Sequence, residues 1–138
     1  MSEYNERNAA IIAEFRANGG RVGGPFAGRS LLLLHTTGAK SGKERVNPVA
    51  CLVDGDRLIV IASKGGAPAH PDWYYNLVAN PLVNVELGAE QFQARAMEAQ
   101  EPERTLLYER MAAANPNFDE YRRKTTRVIP VIVLTRVR

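Results

Sequence analysis

The apolar residues of this chain come in short runs that meet across tight turns, and that pattern most narrows what it can fold into. The spacing predicts strands over Val46 to Val53 and Arg57 to Ala62, joined by the turn dipeptide Asp54-Gly55. A second pair, Val83 to Leu87 and Gln91 to Ala99, closes around Gly88-Ala89. Ser30 to Thr36, carrying the run Leu31 to Leu34, and Ile129 to Val137 complete six strands. Helical spacing fits Asn5 to Asn18, where Gly19-Gly20 stops it and a loop over Gly20 to Pro25 follows. Short helices are expected over His70 to Ala79, from Pro102 to about Ala114, and over Phe118 to Lys124. Six short strands, mostly in hairpins and interrupted by short helices, predict a closed β-barrel. A doubly wound sheet would need a helix between most strands.

A chain of 138 residues fits one domain, residues 1–138, with the N-terminal helix at about 5–18. The single cysteine, Cys51, lies in the apolar run Val49 to Val53 and reads as a small buried hydrophobe. With no pair for it within the chain, a reducing, cytoplasmic compartment is expected. No signal-peptide core and no apolar stretch of about 20 residues is present, so the expectation is a protein that is soluble or at most peripheral at the inner face of the membrane. The net charge of +3 is mild, and its cations gather in local groups without interleaved aromatics. That pattern argues against nucleic acid and for a small anionic ligand. His35 and His70 lack metal-ligand spacing; no metal is expected.

One group of cations lies in "HTTGAKSGKERVNP", His35 to Pro48, directly after the leucine run. A P-loop is excluded, because three residues instead of four separate Gly38 from Gly42 and Glu44 follows Lys43. No GxGxxG opens a helix after a strand. The glycines would let backbone N–H groups converge, and Thr36, Thr37, Ser41, Lys40 and Arg45 add donors, a combination suited to an anion. A solvated hairpin with incidental lysines fits this segment alone equally well. A second group, "ASKGGAPAHPDWYYNL" from Ala62 to Leu77, repeats the hydroxyl-cation-glycine loop and then offers Trp73, Tyr74 and Tyr75 at a helix start. Two such loops could grip the ends of one long ligand and pack an aromatic group against a flat ring, although aromatics so placed, taken separately, are more often core.

In order, the segments "GGRVGGPFAG", "LLLLHTTGAKSGKERVNP", "DGDRLIVIASKGG", "HPDWYYNLVANP" and "RVIPVIVL" resemble the deazaflavin-dependent nitroreductase family, the A-type oxidoreductases that use coenzyme F420. The resemblance runs from about Phe15 to Leu134. It implies a six-stranded split β-barrel of the FMN-binding type, with the coenzyme in a groove along its side. That coenzyme carries a deazaflavin ring, a phosphate and an oligoglutamate tail. The implied reaction is transfer of hydride from the reduced coenzyme to an organic acceptor, with quinones the leading class and nitroaromatics or activated enones as side substrates.

Residue by residue, the resemblance assigns Ala39, Lys40, Ser41, Arg45, Val46, Asn47, Pro48, Val49 and Ala50 to the coenzyme groove, with Lys43 toward the outer tail. It places Ile61, Ala62, Ser63 and Lys64 beside the ring, and Asp72, Trp73, Tyr74, Tyr75 and Asn76 at a further coenzyme contact. Asn115, Phe118 and Tyr121 match the segment that covers the ring and shapes the acceptor pocket. Asn115 and Phe118 stand where nitro-reducing members carry tyrosine. Ser63 and Tyr121 are the candidate proton donors, beside water.

Two other readings share these residues: a split-barrel oxidoreductase that binds FMN, and a non-catalytic coenzyme F420 carrier. The oligomeric state, monomer or homodimer, is open from sequence. Peripheral membrane contact could use the apolar face of Ile11, Ile12 and Phe15, but Glu6 and Glu14 oppose anionic lipid, and packing of that helix on its own barrel is preferred.

Overall fold

The computed structural model describes residues 3–21 and 30–137, with the backbone alone for residues 3–7. The element order is α1 (Glu3–Ala17), β1 (Leu31–Thr37), β2 (Glu44–Asp54), β3 (Arg57–Ile61), α2 (Asp72–Ala79), β4 (Leu82–Leu87), β5 (Glu90–Glu98), α3 (Glu103–Ala114), α4 (Asn117–Arg123) and β6 (Val131–Arg136). The six strands close into an antiparallel barrel in the order β1-β2-β3-β6-β5-β4. The expected architecture is therefore met. Most of the expected Gly20 to Pro25 loop lies outside the described residues.

The leucine run explains itself once both sides of β1 are seen. Leu32 and Leu34 point into the barrel with Val49, Cys51, Val60, Val85, Ala94 and Leu134. Leu31 and Leu33 point outward beneath Phe15 of α1, which is 1% exposed. A strand covered on both faces needs no polar alternation. Because Ile11 and Ile12 also pack on that cluster, the apolar face of α1 is used against its own barrel.

A third cluster covers the outer face of β3 and β6. Ile59, Ile61, Val131 and Val133 meet Leu107, Tyr108 and Met111 of α3 and Phe118 of α4. The remaining helix, α2, plugs the barrel: Trp73 and Leu77 join the interior cluster, on the stripe that i, i+4 spacing creates. Strand β2 is longer than expected and β6 shorter, because β2 pairs with β1 from Glu44 onward whereas β6 pairs with β3 only from Val131. A turn of 3₁₀ helix at Lys64–Gly66, between β3 and α2, was not foreseen.

Candidate functional site

Strand β2 organises the site, and its two faces divide the expected groove residues. Antiparallel partners share a face. Arg45, Asn47 and Val49 pair with Thr36, Leu34 and Leu32, so they lie on the interior side. Val46, Pro48 and Ala50 pair with His35, Leu33 and Leu31 on the outer side. The outer three are half-buried, Val46 against the α1 cluster and Ala50 against the α3–α4 cluster. They form a row between the two helical layers. At the Ala50 end of that row lies a cavity of about 170 Å³ lined by Ser30, Ala50, Leu52, Met111 and Asn115.

At the near end the β1–β2 hairpin carries the cations. Gly38 N–H donates to the Lys43 carbonyl at 2.8 Å and Gly42 N–H to the Gly38 carbonyl at 2.9 Å. Lys43 N–H donates to Ser41 Oγ at 3.2 Å, and Ala39 N–H to Asn76 Oδ1 at 3.0 Å. Those four N–H groups are thus engaged within the hairpin and with α2 and are not turned toward a ligand. What the hairpin offers an anion is side-chain charge: Lys40, Lys43 and Arg45 are all exposed. Asn76 is the tether. Buried on α2, it also donates from Nδ2 to Thr36 Oγ1 at 3.1 Å, holding the strand end and the loop together.

The segment expected to border the ring lies beside Ala50, at the other end of that row. Ile61 pairs with Val131 and belongs to the same cluster as Ala50, Phe118 and Tyr121. The structure therefore brings residues of the expected coenzyme groove and of the expected acceptor pocket into one place. Ser63 is buried, and its hydroxyl makes no capping bond to the turn that follows. Lys64 adopts a left-handed φ of 48°, followed by Gly65 and Gly66 at 64° and 83°. This turn packs on α4, since a Cβ at Gly66 would lie 2.7 Å from the Tyr121 carbonyl oxygen.

Several expected residues sit where their side chains face inward. Val49, Ala62 and Trp73 belong to the barrel interior, so Trp73 has no face free for a flat ring. Phe118 is 5% exposed and stacks edge-on against Tyr108 and Tyr121, with ring centroids at 6.4 and 5.3 Å. It supports Tyr121 from below. Tyr74 donates its hydroxyl to Glu98 at 2.5 Å, and burial followed by that carboxylate pushes the phenol up to about 12. Tyr75 is exposed at the helix start, beside the exposed Asp72. That carboxylate occupies the helix's positive end and weakens the case for an anion there. Cys51, in the interior cluster, has its thiol pushed up to about 12 by burial.

Arg127 was not foreseen. It lies before β6 and bonds the carbonyls of Ala62 and Ser63 from behind the ring-bordering turn. No signal in the sequence marks it, because its main acceptors are backbone carbonyls. Among the described residues no group of His, Cys, Asp and Glu is arranged to hold a metal, and no helix is long and apolar enough to cross a membrane.

Comparison with known proteins agrees with this geometry. The family model for F420H(2)-dependent quinone reductase matches residues 8–136. An F420H(2)-dependent quinone reductase of Mycobacterium tuberculosis is 40% identical over 146 aligned positions, covering 99% of this chain and 98% of the relative. A solved F420-H2 dependent reductase superposes with a TM-score of 0.71 at 40% identity, covering 77% of this chain and 94% of that one. A structure described as a domain-swapped dimer gives 0.72 at 34% identity, covering 96% and 97%. The chain belongs to the F420H2-dependent quinone reductase family.

Proposed function

We propose that this chain reduces a quinone with reduced coenzyme F420, which lies along the outer face of β2 with its anionic end at the 38–45 hairpin and its ring beside Ser63 and Tyr121. The observation that carries the orientation is the polarity of β2. From Glu44 to Ala50 the strand covers about 20 Å at about 3.3 Å per residue. Exposed Lys40, Lys43 and Arg45 stand at one end, the half-buried Val46, Pro48 and Ala50 along the floor, and the Ala50, Ile61 and Tyr121 cluster at the other. A ligand with a flat apolar ring at one end and negative charges at the other fits that donor set.

The coenzyme, when bound, supplies the hydride; the chain supplies binding, orientation and a proton. Lys40 holds anionic oxygens by charge-assisted bonds; Arg45, on the interior row but exposed at the start of the strand, reaches round the edge of the hairpin to them, and Lys43 lies farther out along the tail. Pro48 and Ala50 offer a flat floor, and Ile61 with the α3–α4 layer excludes water from the ring end. Ser63 and Tyr121 are the candidate hydroxyls at that end to hold a proton for the acceptor oxygen, beside water. Inward-facing Val49, Ala62, Trp73 and Asn76 act by shaping the strands and loops, not by side-chain contact.

Anaerobic oxidation of F420H2 by a panel of quinones, nitro compounds and enones tests the reaction, alongside titrations with coenzyme F420 and FMN. Quinone turnover with tighter F420 binding is expected. Tight F420 binding with no acceptor turned over would make the protein a carrier, and tighter FMN binding at equal ionic strength would overturn the coenzyme assignment.

A further inference from the structure

The half-buried guanidinium of Arg127 ties the segment before β6 to the loop that runs from the end of β3 to the start of α2, bonding it at Ala62, Ser63, Ala67 and His70. Nε donates to the Ala67 carbonyl at 2.9 Å, and Nη2 donates to the carbonyls of Ser63 at 2.7 Å and Ala62 at 3.2 Å. Nη1 lies 2.9 Å from His70 Nδ1. A guanidinium only donates, so Nδ1 is the accepting nitrogen and the ring proton is on Nε2. The His70 ring packs on Tyr74 and Tyr75, with centroids at 4.7 and 5.8 Å. Among the described residues no carboxylate comes within ion-pair distance of Arg127, so this cation is bonded to neutral acceptors alone. Burial is the first cause lowering its pKa.

We propose that Arg127 is a positioning residue: it holds the Ser63–Lys64 turn through backbone carbonyls and ties that turn to the start of α2 through His70, a tie that exists only while His70 is neutral. The inference rests on the reading that both segments border the coenzyme. The groups facing His70 are Arg127 from the segment before β6, Tyr74 and Tyr75 from α2, and Glu98 from β5. Burial first and Arg127 second hold its pKa below the ordinary 6.5, against a smaller opposing pull from Glu98. The sign follows from that direction. Above pH 6.5 the ring is neutral with the bond made, and the hold is lost as pH falls through the lower folded value. Protonation removes the acceptor and sets two cations face to face.

The test is calorimetric titration of oxidised coenzyme F420 into the full chain between pH 7.5 and 5, for wild type, His70→Asn, Arg127→Lys and Lys40→Ala. Asparagine keeps an acceptor oxygen close to the position of Nδ1 but does not titrate. At pH 7.5 His70→Asn should bind within about threefold of wild type, since the bond is retained. On acidification wild type should fall below the variant by up to about tenfold per pH unit, the limit for one coupled proton. The comparison cancels titrations belonging to the ligand. Arg127→Lys, which cannot make the fork, should lose about tenfold in affinity at pH 7.5. Parallel pH profiles for wild type and His70→Asn would overturn the proposal, and so would unchanged affinity in Arg127→Lys. If Arg127→Lys does not fold, the His70→Asn profile alone decides. If wild type does not bind, or Lys40→Ala leaves affinity unchanged, the groove reading falls and the inference with it. If Lys40→Ala weakens binding while the other two variants behave as wild type, the inference alone falls.

Discussion

Replacing Gly66 by alanine should loosen α4 from the ring-bordering turn. Two costs combine at this position. Gly66 has φ of 83°, which costs an alanine about 1–2 kcal/mol. The new Cβ would also lie 2.7 Å from the Tyr121 carbonyl oxygen, 3.1 Å from Tyr121 Cα and 3.0 Å from Lys124 Cβ. Two of those three atoms are backbone, so relief requires α4 itself to move, an overpacking cost of about 1–3 kcal/mol. The sum, about 2–5 kcal/mol, is a large part of the roughly 5–15 kcal/mol of a domain. Gly65→Ala is the internal control: its φ of 64° is also left-handed, but a Cβ there meets nothing within 4 Å. It should cost about 1–2 kcal/mol, less the few tenths regained by restricting the unfolded chain. Urea unfolding of the two variants isolates the contact with α4, and a tryptophan-independent probe such as far-UV circular dichroism avoids bias from Trp73. Equal destabilisation by the two substitutions would refute the packing of α4 on this turn, and with it the juxtaposition of Tyr121 and Ser63.

Lys40→Ala and Arg45→Ala should each weaken coenzyme F420 binding about ten- to a hundredfold, as loss of one charge-assisted bond of about 1.5–3 kcal/mol implies, with melting unchanged. Rising salt should weaken wild-type binding in the same titration, because these cations are exposed and the Debye length is about 10 Å at 0.1 M. Under twofold change in both variants would return the hairpin to a solvated turn. Asn76→Ala should destabilise the fold by about 1–3 kcal/mol, since it leaves the Ala39 N–H without its acceptor and removes the donor to buried Thr36. Chemical denaturation showing less than about 0.5 kcal/mol of loss would mean that water replaces both bonds. Cys51, with its thiol pushed up to about 12 and its side chain in the interior cluster, should resist thiol reagents at pH 8 until the chain is unfolded. Rapid native-state labelling would contradict its burial.

Local order was legible in the sequence where the chain's own neighbours determine it. Asp54-Gly55 and Gly88-Ala89 fix two hairpins, and Pro71 and Pro102 sit where helices begin. The closing pairs, β1 with β4 and β3 and β5 with β6, join residues distant in sequence, and only the count of strands hinted at them. Side-chain direction on β2 was lost for the same reason. The outer row, Val46, Pro48 and Ala50, is apolar although half-exposed between helices, while the interior row runs from Arg45 and Asn47 at the barrel mouth to buried Val49, so neither row shows the usual polar-out, apolar-in alternation. Asn76 could have been found. It shares the buried stripe with Trp73 and Leu77, and a polar residue there needs partners. Arg127 could not, since its acceptors are carbonyls that any sequence would supply.

Both loops at the ends of the proposed channel are thus held by polar residues that face away from it. The hairpin is tied to α2 through Asn76, and the Ser63 turn is tied through Arg127 to His70, immediately before the same helix. Between them, β2 is fixed by pairing to β1 from Glu44 to Ala50 and to β3 from Cys51 to Asp54. Helix α2 is therefore coupled to both ends, and its own position is set by Trp73 and Leu77 in the barrel interior. A ligand gripped at both ends would report on how well α2 is seated, even where α2 does not touch it. Substitutions on the buried stripe of α2 would then act on cation placement and ring placement together, whereas Lys40 acts on the first alone and Gly66 on the second. That separation follows from the strand's length: about 20 Å of rigid β2 divides the two ends, so local repacking at one is not felt at the other except through the helix that contacts both.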